Sequence, residues 1–99
     1  MVIYVTHCHN GDEENLQKAS RIVHNLQKAD KDNCYICPLL TFSAINKGEL
    51  NEEEMSNIRI DLLSICDMLI VSSREDAQIK HEIDFAKLVG MEIKNLEQQ

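Results

Sequence analysis

The sequence has few glycines and no long apolar run, and both shortages exclude classes of protein. Its three glycines, Gly11, Gly48 and Gly90, are too far apart to form the glycine-rich loop of a dinucleotide-binding fold or of a P-loop. No apolar stretch approaches the roughly 20 residues of a membrane-spanning helix. Residues 1–14 lack the basic and then apolar pattern of an export signal. We therefore expect a soluble, cytoplasmic protein with no membrane partner.

The chain also has few positively charged residues. It contains ten Lys and Arg residues and 17 Asp and Glu residues, which gives a net charge of −7. Surfaces that bind nucleic acid need clustered Lys and Arg to displace counterions, so we do not expect nucleic acid as a partner. Most acidic residues fall at the expected starts of helices, where they interact favourably with the helix dipole. Helix capping explains them more simply than mimicry of a nucleic acid does.

The four cysteines fit reduced thiols in the cytosol. His7, Cys8 and His9, together with Cys34 and Cys37, have the donor types of a zinc site. Cys34 and Cys37, however, lie three residues apart on an expected strand, so their side chains point to opposite faces. The usual dithiol redox pair opens a helix, whereas this pair ends a strand. We therefore expect no metal and no cofactor, and interpret both cysteines as core residues.

Apolar periodicity predicts strands that alternate with helices along the whole chain. Strands are expected at 2–5, 34–37, 67–71 and 91–96, and helices at about 12–29, after Asn51 and after Asp76. Such alternation implies right-handed crossovers and a parallel sheet. The expected fold is one α/β domain over residues 1–99, a three-layer flavodoxin-like or Rossmann-like sandwich with about four strands.

Capping-box spacing marks two helix starts, at Asn10 with Glu13 and at Asn51 with Glu54. Residues 39–50 have no clear period and are expected to form a long loop that includes a helical turn. The apolar stripes of the three helices are predicted to be Leu16, Ala19, Val23 and Leu26; Met55, Ile58, Leu62 and Ile65; and Ile79, Ile83, Ala86 and Val89.

One carboxylate interrupts the last of these stripes. Glu82 lies three residues after Ile79 and four before Ala86, so it points with the buried side chains. It could lie at the edge of the stripe, with its methylenes packed and its carboxylate in water. Alternatively, it faces a crevice at the switch point between the first and third strands, because open parallel sheets bind ligands beyond their carboxyl ends. The turns at 6–12 and 72–76 would form that crevice.

A carboxylate in this position can attack the anomeric carbon of a sugar, with a phenol positioning it. Tyr4 in the first strand is the phenol that could reach Glu82 across the switch point. Several segments of the chain match a family with this chemistry, namely IYV at 3–5, NGDEEN at 10–15, Pro38 with Phe42, LLSICDMLIV at 62–71 and HEIDFAKLVG at 81–90. The chain thus resembles the nucleoside 2-deoxyribosyltransferase-like family, including its short phage and bacterial relatives.

The resemblance implies a nucleoside or nucleotide site in which Glu82 attacks the sugar and Tyr4 orients it. Arg59 stands where the family has an aspartate that binds the base or assists the leaving group, and Asp61 follows two residues later. The turn at 76–79 lacks the family's glycine. The residues expected to bind the ligand are Thr6, His7, His9, Asn10, Phe42, Asp61, Ser72, Ser73 and Gln78.

Three functions remain open at this point. In the first, the protein is an enzyme that transfers or hydrolyses the glycosidic bond of a nucleoside or nucleotide. In the second, it is a non-catalytic protein that binds and sequesters a nucleotide-derived signalling ligand, as a small phage protein would. The third reading is an acidic module that binds another protein. Because family sites are often completed by a neighbouring subunit, the resemblance also implies a homo-oligomer.

Overall fold

Strands and helices alternate in the computed structural model, which describes residues 1–9, 11–42 and 49–96. Within those residues the strands are β1 (Val2–Thr6), β2 (Cys34–Ile36), β3 (Met68–Val71) and β4 (Glu92–Asn95). The helices are α1 (Glu13–Ala29), α2 (Pro38–Thr41), α3 (Glu52–Ser64) and α4 (Ala77–Leu88). None of these helices combines the length and apolar character needed to cross a bilayer.

The strands form a parallel sheet in the order β2-β1-β3-β4. This order confirms the predicted α/β fold of the flavodoxin-like or Rossmann-like type. The direction of strand order changes between β1 and β3, where Tyr4 pairs with Leu69 and Thr6 with Val71. The crevice at a switch point opens beyond the carboxyl ends of these two strands.

Alternating residues of β1 supply two separate cores, because successive side chains of a strand point to opposite faces. On one face, Tyr4 belongs to a buried cluster with residues of α3 and α4, including Leu63 and Ile79. On the other face, Ile3 and Val5 pack in a cluster that also contains Ala19 of α1. The sheet is therefore the middle of three layers.

Side-chain caps fix the starts of the helices. Asp76 Oδ1 accepts a hydrogen bond from the Ile79 amide at 2.8 Å, and Asn51 and Glu54 form the predicted capping box of α3. At α1 the cap is Asp12, which accepts from the Glu14 amide, so the prediction that Asn10 caps this helix is wrong. Asn10 itself lies outside the described residues. Gly90 follows α4 with φ of 75°, the left-handed conformation predicted for it.

Two predicted stripes differ from the observed ones at their carboxyl ends. Ile65 is 73% exposed and Val89 is 54% exposed, because each residue follows the last turn of its helix. In α3 the residues that reach the core are Leu63 and Arg59, in place of the stripe that ends at Ile65. The stripe of α1 is confirmed, since Ala19 is buried and Leu16, Val23 and Leu26 pack around it.

The region after β2 begins with the helical turn that the sequence predicted, here α2. Pro38 occupies the first position of that helix, where its missing N–H costs nothing. The rest of the predicted loop includes residues 43–48, which lie outside the described residues. Cys37 is buried as expected, whereas Cys34 is exposed, because β2 is an edge strand of the sheet.

The different exposure of the four thiols predicts their order of modification. Cys34 is exposed and Cys8 is half-buried, whereas Cys37 and Cys66 are buried. Burial also raises the pKa of the Cys66 thiol to about 11, which lowers its fraction of reactive thiolate. With a chromogenic disulfide reagent at about pH 8, we expect Cys34 to react fastest and Cys37 and Cys66 slowest. A fastest phase that survives Cys34→Ser would contradict this order, and unfolding in urea should expose all four thiols.

Candidate functional site

An open cleft of about 960 Å³ lies beyond the carboxyl ends of β1 and β3. His7 and His9 follow β1 and form one side, and residues 76–79 at the start of α4 form another. The remaining walls come from α2 and the first turns of α3. This is the place that the switch-point argument predicted, and the volume falls within the range of small-molecule sites.

The cleft combines an apolar wall with polar and charged groups. Its apolar side chains are Pro38, Leu39, Phe42, Leu50, Met55, Ala77 and Ile79. Its uncharged polar and imidazole side chains are His7, His9, Asn51, Ser56, Asn57, Gln78 and His81, and its charged side chains are Glu52, Glu53, Asp76 and Arg59. Half-buried Phe42 offers a flat apolar surface, which suits a planar apolar group.

Glu82 lies beneath this cleft and is completely buried, with no exposed surface. Its Oε1 accepts a hydrogen bond from Thr6 Oγ1 at 2.6 Å, and its Oε2 accepts one from the Tyr4 hydroxyl. The reading in which Glu82 keeps its carboxylate in water at the edge of the stripe is therefore wrong. The carboxylate remains in the core because β1 supplies hydroxyl donors at alternate positions of the same strand.

Arg59 of α3 completes the network around Glu82. Its Nε donates to Glu82 Oε2 at 3.1 Å, and its Nη2 donates to Thr6 Oγ1 at 3.1 Å. Nη2 also lies 3.1 Å from Glu82 Oε2, which makes the contact a buried ion pair. We refer to Tyr4, Thr6, Arg59 and Glu82 as the buried network.

Only one charged member of the buried network reaches the cleft. The described residues that line the cleft include Arg59, whose side chain is 10% exposed, but not Glu82. The hydrogen bonds that Arg59 makes to Tyr4, Thr6 and Glu82 all start from Nε and Nη2. The guanidinium edge formed by Nη1 makes none of these bonds. Arg59 is thus the charge of the buried network that a ligand in the cleft can meet.

Burial and charge both shift the pKa values of the buried network. Burial raises the pKa of the Tyr4 phenol far above its usual range, and the negative charge of Glu82 adds to the effect. Burial by itself lowers the pKa of Arg59, but the charge of Glu82 and the contact with Tyr4 together outweigh burial, so the pKa is raised. Tyr4 is therefore a neutral donor and Arg59 a permanent cation at physiological pH.

The structure brings most of the predicted site residues to this region. His7, His9, Phe42 and Gln78 line the cleft. Gln78 also carries a buried Nε2 atom that has no hydrogen-bond partner among the described residues. A buried amide without a partner costs free energy, so this donor is available to an acceptor in the cleft.

Three other predicted site residues do not line the cleft. Ser72 is buried and its Oγ donates to the Thr6 carbonyl at 2.8 Å, which links β3 to β1. Ser73 lines a second, smaller pocket with His7. Asp61 is exposed on α3, and the structure does not bring it to the cleft. Asn10 lies outside the described residues.

Residues that the sequence did not suggest complete the cleft. The most important is Arg59, which sequence reasoning treated only as a departure from a family pattern. A signal was available, since a carboxylate that points into a core requires a cationic or hydrogen-bonding partner. Polar groups at the start of α3 and on α4 were also missed, namely Asn51, Ser56, Asn57 and His81.

Fold and site together define a small open-sheet α/β protein with a ligand-sized cleft at its switch point and a buried Arg–Glu–Tyr–Thr network beneath the cleft. No family model and no curated protein matches the chain. Among solved structures, it is similar to a conserved protein from Enterococcus faecalis V583, with a TM-score of 0.82 and 18% sequence identity over 96% of this chain. The chain spans 62% of the length of that protein. At this identity the likeness concerns the fold alone.

Proposed function

We propose that the protein binds a nucleotide-derived ligand in the cleft and leaves its glycosidic bond intact. The observation that carries this proposal is the ion pair between Arg59 and Glu82, in which the cation lines the cleft and the carboxylate is buried beneath it. A site of this form captures a ligand, as a protein that sequesters a signalling nucleotide would.

Glu82 is poorly placed to act as a nucleophile. An attacking oxygen must approach the anomeric carbon to about 3–3.5 Å, whereas Glu82 has no exposed surface. Both of its oxygens already accept hydrogen bonds from the buried network, at Oε1 from Thr6 and at Oε2 from Arg59 and Tyr4. Attack through either oxygen would require Arg59 to move aside and that oxygen to give up the hydroxyl donor it now has.

The volume, the lining side chains and the charge of the cleft each suit a nucleotide. Its volume of about 960 Å³ is sufficient for a base and a sugar together. Phe42 and Met55 provide apolar surface for a base, and Gln78 provides an amide donor for a carbonyl or hydroxyl oxygen. Arg59 adds a positive charge in a chain that is otherwise strongly acidic. The family resemblance points to the same class of ligand.

The second candidate is an enzyme of glycosidic-bond transfer or hydrolysis. It is favoured by the hydrogen bond from Tyr4 to Glu82, which joins the two residues that the family resemblance assigns to catalysis. This candidate requires a ligand that displaces Arg59. Acidic interaction with a protein is the third candidate, and no contact of the described residues favours it over the cleft.

The test uses a panel of nucleosides, nucleotides, cyclic nucleotides and ADP-ribose-type ligands. Calorimetry or thermal shift measures binding, and chromatography measures release of the base. We expect at least one ligand to raise the unfolding temperature and to be recovered intact. Gln78→Met, which removes one donor at similar size, should weaken that ligand about 2- to 10-fold. The exposed glutamine of α1 provides the matched control, Gln17→Met, which should bind like the wild type.

Other outcomes overturn the proposal in different ways. Base release by the wild type that disappears in Glu82→Gln, a variant of the same size shown to be folded by circular dichroism, would establish the enzyme. Equal losses of affinity in Gln78→Met and Gln17→Met would show that the ligand binds outside the cleft. Absence of both binding and base release across the panel would leave the interaction module.

A further inference from the structure

A second pocket lies beside the cleft, between the turn after β1 and the turn after β3. It is lined by His7, Cys8, Asn15, Lys18, Ser73 and Arg74, and we call it the basic pocket. The Cys8 amide donates to Ser73 Oγ at 2.8 Å, which ties the two turns together. Asn15 Nδ2 donates to the His9 carbonyl at 2.9 Å, which holds α1 against the first turn. Three of its walls are thus joined by hydrogen bonds without any ligand.

The charge of the basic pocket is opposite to that of the protein. Its lining includes two of the ten Lys and Arg residues and none of the 17 Asp and Glu residues. Within the described residues, neither Lys18 nor Arg74 forms an ion pair with a carboxylate. The acidic residues of the first turn of α1, Glu13 and Glu14, are exposed and do not line the pocket. Two exposed cationic side chains, neither of them ion-paired within the described residues, therefore line one small cavity.

The size of the basic pocket limits what it can hold. Its volume is about 160 Å³, well below that of the cleft. A water molecule takes about 30 Å³ of liquid volume, so the space corresponds to roughly five waters. A nucleoside does not fit in such a space, whereas a tetrahedral oxyanion with part of its hydration does.

His7 belongs to the walls of both cavities, the cleft and the basic pocket. It is 5% exposed, and its Nδ1 lies 2.8 Å from the Cys8 carbonyl oxygen. That contact requires a proton on Nδ1, because a carbonyl oxygen can only accept. The imidazole is therefore held in one orientation in the wall that the two cavities share, and the cavities are neighbours on the same edge of the sheet.

We propose that the basic pocket binds a phosphate group, and that this group belongs to the nucleotide-derived ligand whose base and sugar occupy the cleft. This inference rests on the proposed function for the location of the rest of the ligand. The charge and size of the basic pocket support a phosphate group there by themselves. Lys18 and Arg74 would donate charge-assisted hydrogen bonds to the phosphate oxygens. The class of ligand is thereby narrowed from nucleosides and nucleotides to phosphorylated nucleosides.

The test compares a nucleoside with its own monophosphate, using whichever base binds in the panel above, and also uses inorganic phosphate alone. Calorimetry gives the affinities, and 31P NMR reports on the phosphate. We expect the monophosphate to bind at least about tenfold more tightly than the nucleoside, because hydrogen bonds to charged groups are strong. In the double variant Lys18→Met with Arg74→Met, the two affinities should become equal within about twofold, with the nucleoside affinity unchanged.

The control is the double variant Lys28→Met with Arg21→Met, which removes the same charges from exposed positions of α1 and should keep the preference for the monophosphate. Equal affinities of nucleoside and monophosphate in the wild-type protein would overturn the phosphate site while leaving nucleoside binding in place. Inorganic phosphate that binds the wild type and the control but not the Lys18 and Arg74 variant, when every nucleoside and nucleotide fails to bind, would support the basic pocket as a site for free phosphate and overturn the proposed function. A preference lost equally in both double variants would reflect net charge and also overturn the site.

Discussion

Replacement of Arg59 by methionine is expected to lower the free energy of unfolding by about 3–5 kcal/mol, because it removes one partner of a buried ion pair. The Glu82 carboxylate has no exposed surface, so water cannot replace the lost guanidinium without a rearrangement of the core. The hydroxyls of Tyr4 and Thr6 would still donate to it, but they bring no charge. Small domains have about 5–15 kcal/mol in total, so this single change removes a large part of the stability.

Urea denaturation followed by circular dichroism measures the effect, with the slope of the transition compared between variants. The exposed arginine of α1 supplies the matched control, Arg21→Met, which should change the free energy of unfolding by less than about 0.5 kcal/mol. A loss below about 1 kcal/mol in Arg59→Met would contradict the ion pair, since it would place Glu82 in contact with water.

The sequence was sufficient to predict the position of Glu82 and its contact with Tyr4, but not its charged partner Arg59. Glu82 could be assigned to the inner face because α4 has regular apolar residues at Ile79, Ile83 and Ala86, all of which are buried. In α3 the apolar residues lie on several sides of the helix, so periodicity does not fix which face turns inward. Packing on the sheet decides it, and it selects Leu63 and Arg59.

The location of the cleft was predictable for a different reason. Alternating strands and helices determine a parallel sheet, and the reversal of strand order determines where its crevice opens. Which side chains complete the crevice depends on how α2 and the start of α3 return across the sheet, and the sequence has no local signal for that path. Asn51 could be predicted as a helix cap because the capping box has a local sequence signal. Its place in the lining of the cleft has no such signal and was not predicted.

The exposure of residues on the edge strand could not be predicted from the sequence either. Cys34 belongs to a strand-forming segment and was assigned to the core, yet β2 pairs with β1 on one side only. The exposure of a side chain on a short strand depends on what the rest of the fold packs against it, so it cannot be derived from that strand alone. Lys18 and Arg74 show the same limit, since the basic pocket exists only once two distant turns meet.

Replacement of the whole buried network by apolar side chains is expected to recover the stability that Arg59→Met loses. The variant combines Tyr4→Phe, Thr6→Val, Arg59→Met and Glu82→Leu. Buried ion pairs can often be replaced by apolar residues of similar volume with no loss, or with a gain of about 1–4 kcal/mol. Both hydroxyls must be removed as well, because each would otherwise be buried without its acceptor at a cost of about 1–3 kcal/mol.

The same variant should lose affinity for the ligand by at least about tenfold, because Arg59 is the charge of the buried network that reaches the cleft. Urea denaturation and calorimetry on one preparation give the two results together, with Gln17→Met as the unchanged control. Recovered stability with lost binding would mean that the network is maintained for the ligand. A variant as unstable as Arg59→Met alone would instead show that the network stabilises the fold, and retained affinity would remove Arg59 from the binding site.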